Sequence, residues 1–277
     1  FLLVKGMYER NALLWSIAQQ NENSFYFLFE QVYCKIFSIK EFACEINVNG
    51  ENLLHYLARF GSVSMLKFAL EKLKNEFSPE DLQNFIILKN KNDCNLLHCA
   101  ALQSENEESV RFLVNFIENE VGSEEVNKML SELSNFKRRP LHCAVKFNNL
   151  NVFELFFSFY EQNFDKMQIL QFLSKKDYDG DNILHHAAAF SKSKEVCEFL
   201  WMKIEELFED KEELKKFLLL KGEYDRNALL QSIAHQNENT FYFLFEQVFC
   251  KYFSIKEFAY ESDEDGENLL HHLAMNG

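Results

Sequence analysis

Histidine is the residue type whose spacing here first invites a chemical reading. It follows leucine at His55, His98, His142, His185 and His271, and two of these precede a cysteine, Cys99 and Cys143. Imidazole and thiolate are ordinary zinc ligands, and histidine is the commonest general acid–base. The spacing argues against both roles. Each histidine closes a tetrapeptide, N-L-L-H at Asn52, Asn95 and Asn268, R-P-L-H at Arg139 and N-I-L-H at Asn182, and a related N-A-L-L opens at Asn11 and Asn227. Successive starts lie 41, 43, 44, 43, 45 and 41 residues apart. Leu14 and Leu230 occupy the histidine place in two of the seven, which a periodic metal or catalytic site would not tolerate. Ligands must also converge within about 2.0–2.3 Å of one ion, whereas adjacent units sit on the order of 10 Å apart. A catalytic constellation would have to occur once and break the repeat. No G-x-S-x-G, H-E-x-x-H or phosphate-cradling glycine loop is present. Neither enzyme activity nor a cofactor or metal site is therefore expected.

The elements that carry these residues form a tandem array. Residues 217–277 repeat residues 1–61 at 45 of 61 positions, and the shorter period runs inside this duplication. Self-similarity at such a period signals stacked supersecondary units, so residues 1–277 read as one continuous array with units starting near 11, 52, 95, 139, 182, 227 and 268, the last truncated. In a representative unit, Asn49-Gly50 supplies a hairpin turn and Asn52 an N-cap. Leu53, Leu54, Leu57 and Ala58 then give a short amphipathic first helix. A second helix spans about 63–74 with Met65, Leu66, Ala69, Leu70 and Leu73 inward. A surplus of about ten residues follows, carrying helix-start chemistry of its own. Ser38 with Glu41 and Ser254 with Glu257 are capping boxes, Ser78-Pro79 is a cap followed by proline, and Ser123-Glu124-Glu125 repeats the idea. Three helices and a turn per unit are expected, and the fold class is all-α.

Up to the end of the second helix the unit resembles the ankyrin repeat, whose signature reads T-P-L-H-x-A-A-x-x-G. Residues 139–145 (RPLHCAV), 182–188 (NILHHAA) and 95–101 (NLLHCAA) carry the likeness. It implies an ankyrin-like helical solenoid, with the histidine ring tying the start of the first helix to neighbouring backbone. It also implies a concave binding face built from hairpin tips and first-helix ends. At that end, two positions past the A-A pair, stand Gln19, Phe60, Gln103, Phe147, Phe190, His235 and Asn276. The three phenylalanines would form an aromatic line along the face, unless they pack beneath the added helix. Substitutions between the long copies fall on the same region, including Tyr56 to His272, Arg59 to Met275 and Phe60 to Asn276. His186 and His272 are expected to be exposed beside the structural histidines. Lys137-Arg138-Arg139 forms a basic tip suited to a carboxylate. Tyr56, Arg59, Phe60, Gln103, Lys137, Arg138, Arg139, Phe147, His186, Phe190 and His235 are thus the candidate partner-binding residues.

Composition narrows the partner. With 29 Lys+Arg against 43 Asp+Glu the net charge is −14, which disfavours nucleic acid and favours a protein with a basic surface. No apolar run approaches a membrane span. The 7 cysteines include no C-x-x-C pair and recur at equivalent places, Cys34 with Cys250 and Cys99 with Cys143. This suits a reducing compartment and is compatible with delivery into a host cell. A protein–protein interaction scaffold is the expected function. The alternative is a structural or regulatory repeat region of a larger effector, toxin or channel, since the array starts and stops inside a unit and is expected to continue in a longer chain.

Overall fold

The computed structural model describes residues 11–103, 107–146, 150–190 and 194–276. All regular structure among them is helical, apart from one isolated bridge between Ser262 and Asn268. First helices start where the tetrapeptides lie: Ala12–Ala18, Leu53–Phe60, Leu96–Gln103, Pro140–Lys146, Ile183–Phe190, Ala228–Ala234 and Leu269–Asn276. The side chain of Asn52 accepts the backbone N–H of His55 at 3.1 Å, the capping role its position predicts.

The surplus of each unit is a third helix. These run Ile39–Ala43, Pro79–Ile86, Ser123–Ser131, Lys166–Ser174, Lys211–Leu218 and Ile255–Ala259. Ser38, Ser78 and Ser254 occupy N-caps, and Ser123 is the first residue of its helix, preceded by Gly122. Asp165 and Asp210 cap the remaining two, roles that the sequence pattern had not singled out. The helices are held by one apolar face; Leu82, Phe85 and Ile86 are buried at helical spacing.

The second helix departs from expectation in both duplicated units. Phe27–Tyr33 and Leu244–Phe249 are wound as π-helix, and the Cys34 and Cys250 N–H groups bond five residues back, to Phe29 and Phe245. The buried aromatics Phe25, Phe29 and Tyr33 are spaced by four. An α-helix of 3.6 residues per turn would carry such a row around its surface. Looser winding keeps it on one side, where Phe29 meets Phe42 at 5.0 Å and Phe68 at 5.2 Å.

The chain forms two compact units, Phe1–Asn135 with Arg139–Leu141, and Phe136–Arg138 with His142–Gly277. In the first, helix Leu53–Phe60 packs on Ala12–Ala18 and on Leu96–Gln103, and Val63–Glu76 packs on Glu107–Val121. In the second, Ala228–Ala234 packs on Ile183–Phe190 and on Leu269–Asn276, and Lys194–Leu207 packs on Leu150–Asn163 and on Glu238–Phe243. Like packs on like within each.

Candidate interaction surface

Four of the hairpins before first helices are built around one side chain, five residues ahead of the cap. Asn47 Oδ1 accepts the N–H groups of Asn49 and Glu51, both at 2.9 Å. Asn90 does the same for Asn92 and Cys94, Asp177 for Asp179 and Asp181, and Asp263 for Asp265 and Glu267. The residue two before the cap is left-handed in all six described hairpins: Gly50, Asp93, Lys137, Gly180, Asp225 and Gly266. Neighbouring tips join by backbone bonds, Lys91 N–H to Asn49 C=O at 2.9 Å in the first unit and Tyr178 N–H to Phe136 C=O at 3.0 Å in the second.

The second atom of that side chain decides the fate of several candidates. Asp177 Oδ2 accepts from Arg138 Nε at 2.7 Å and from His186 Nε2 at 2.8 Å. His186 is therefore buried (1% exposed), contrary to its expected surface role. Burial alone would raise the Asp177 pKa, but His186 and Arg138 outweigh it and hold the carboxyl well below the usual range. His272 and Arg226 repeat the arrangement on Asp263 at 2.9 and 3.4 Å. In the first unit Asn47 Nδ2 donates instead to Tyr56 Oη at 2.9 Å and to Glu51 at 2.9 Å. Tyr56 is thus a buried residue as well, not a partner contact. The arginines of the basic tip are engaged within the chain in the same way. Arg138 spans Asp177 and Asp179 (2.8 Å to the latter), and Arg139 Nε donates to the Ser131 carbonyl at 3.1 Å. Lys137 alone of the three is exposed.

Two of the L-H histidines are tied into the segment that follows them. His185 Nε2 donates to the carbonyls of Leu220 at 3.0 Å and Arg226 at 3.1 Å, seven residues and one residue before the next cap. His55 faces Leu88 and Cys94, which hold the same places in its own following segment. Burial pushes both imidazoles down to about 4. All seven cysteines are free thiols, with Cys99 and Cys143 buried.

The candidates that remain accessible lie at first-helix ends and hairpin tips. In the first unit Phe60 is half-buried, 5.7 Å from the Tyr56 ring and beneath Arg59, whose guanidinium lies 5.0 Å from the ring centroid. In the second, Phe190 is half-buried among His186 at 5.8 Å, exposed His235 at 5.3 Å and Lys146 Nζ at 4.7 Å. Burial and then Arg138 lower the Lys146 pKa. Phe147 and the side chains of Gln103 and Asn276 lie outside the described residues. No protein-family model and no curated protein matches this chain. The surface therefore has to be read from its own chemistry.

Sequence reasoning missed the tip aromatics Tyr178 (71% exposed) and Tyr224 (50%), which join Phe136 (47%) in the second unit. Their signal was available: both lie in the short segments between the third helix and the next first helix, within two residues of Gly180 and Gly222. It also missed a donor group within one unit, Asp263, Glu267 and His272, whose ligand atoms lie within 4.8 Å of one another. Arg226 places a fixed positive charge on the same Asp263 oxygen. That charge opposes a cation, so the group reads as a hairpin lock.

Proposed function

We propose that this chain is a divergent, three-helix ankyrin-type solenoid that binds a protein partner through first-helix ends and hairpin tips, and that it acts by binding and not by catalysis. The observation that carries the reading is the Phe190 group. An aromatic ring, a half-buried lysine and an exposed histidine meet at the end of a helix whose other residues are buried. Aromatic anchors on rigid elements are what interface hot spots are made of. The position varies between units, Gln19, Phe60, Phe190 and His235, while an alanine stands one or two residues before it each time, Ala18, Ala58, Ala189 and Ala234. Variation at one register on a constant frame is how a repeat scaffold changes specificity without changing fold.

The test uses the whole chain as affinity bait, with Phe190→Ser/His235→Asn as the comparison. A protein retained by the parent chain should lose at least about tenfold in affinity for the variant, or about 1.4 kcal/mol, while far-ultraviolet circular dichroism stays the same. Equal retention by both would place the interface elsewhere.

A further inference from the structure

The third helix Lys166–Ser174 departs from its counterparts on one face. Two residues past the cap it carries Met167, where the others carry Lys40, Glu80, Glu124, Glu212 and Lys256. Three residues on it carries Leu170, where they carry Ala43, Gln83, Asn127, Lys215 and Ala259. Residues three apart share a helix face, so a face that is mostly polar elsewhere has become apolar here. Met167 is 65% exposed and Leu170 half-buried. Both line a groove whose far wall is Leu207 and Phe208. Its rim holds three acids, Glu209, Asp210 and Glu213, against one lysine, Lys166, already paired with Glu209 at 2.7 Å.

We propose that this groove docks a basic amphipathic helix of a partner protein, with its apolar side on Met167, Leu170, Leu207 and Phe208 and its lysines or arginines over Glu209, Asp210 and Glu213. Three features select this occupant. An exposed methionine is unbranched and polarizable, so it can mould to an apolar ridge. Residues at i, i+3 and i+4 of a helix form such a ridge and reach a groove between helices. The acidic rim, on a chain of net charge −14, attracts cations and repels anions. The groove is lined by third helices and helix ends that the first-helix surface does not use, and the inference stands apart from the function proposed above.

The probe is a fluorescein-labelled Leu/Lys amphipathic helical peptide of about four turns, titrated with the full chain and followed by anisotropy. Saturable binding is expected. It should weaken about tenfold in Met167→Gln/Leu170→Gln, which changes no charge. Met167→Gln alone alters an exposed residue and should weaken binding about threefold, so the idea stays testable if the double variant misfolds. Glu80→Gln, on another third helix, and Phe190→Ser should leave affinity within about twofold. Absence of saturable binding would overturn the proposal. So would equal affinity for a Leu/Glu peptide, unchanged binding by Met167→Gln, or as large a loss from Glu80→Gln, which would mark non-specific attraction to an acidic protein.

Discussion

At the scale of single residues, the hairpin side chain and the residue nine positions on behave as a pair. Asn47 meets Tyr56, whereas Asp177 meets His186 and Asp263 meets His272. The Asn47 amide donates to Glu51 as well as to the phenol, and a carboxylate in its place would face Glu51 with no proton to give; beside an imidazole, as at Asp177 and Asp263, a carboxylate has a donor. Asn47→Asp alone should therefore destabilise the chain, and adding Tyr56→His should recover about 1–3 kcal/mol in a urea double-mutant cycle. A coupling near zero would mean that the pairing is coincidental. The L-H histidines make a second prediction. His55 and His185 titrate at about 4 when folded, below the ordinary 6.5, so the unfolded state binds more protons between those values. Stability should be full above pH 6.5 and fall as pH drops from 6.5 towards 4, by on the order of 3 kcal/mol for each histidine. His185→Leu, which copies Leu230, should flatten that part of the urea-midpoint profile. An unchanged slope would exclude His185 as its source.

At the scale of elements, the turns carry the strictest demands. Lys137 sits at φ +56°, in the left-handed region where Gly50, Gly180 and Gly266 serve other hairpins. A side chain costs about 1 kcal/mol or more there, so Lys137→Gly should raise the thermal midpoint. Gly222 has the opposite constraint, since a Cβ would stand 2.1 Å from Asp181 Oδ1 and 2.6 Å from the His185 ring. Gly222→Ala should lower the midpoint by several degrees, and calorimetry on the two variants reads both signs. The third helices were legible because their caps are local: serine followed three residues later by glutamate needs no tertiary partner to be recognised. The π-helical winding was not. Aromatics spaced by four are compatible with an α-helix until a packed face, here Phe29 against Phe42 and Phe68, fixes the side they must share.

At the scale of the whole molecule, charge and helix content set the outlook. Lysines on second and third helices pair with acids about one repeat away, Lys40 with Asp81 and Lys74 with Glu120 in one compact unit, Lys166 with Glu209 and Lys203 with Glu161 in the other. Much of the positive charge is thus occupied, and the excess of acids faces solvent. Duplex DNA should give no retardation in a gel-shift assay even at about 50 mM salt, where phosphate contacts are strongest. A discrete shifted band would contradict this reading of the surface. No helix among the described residues is long and apolar enough to cross a membrane.

The sequence by itself determined the unit length, the helix starts and the all-helical class, because period, capping chemistry and apolar spacing act over a few neighbouring residues. It also marked the L-H histidines as structural, since a residue that recurs with the period and yields to leucine twice serves the frame. Only the tertiary structure decided which polar residues are accessible. Tyr56, His186 and Arg138 look like surface residues by type, yet each is drawn inward by a hairpin side chain that is distant in sequence or on another turn. Met167 looks like a core residue by type and stands in solvent. Burial depends on which faces meet when helices pack, and no local pattern carries that information.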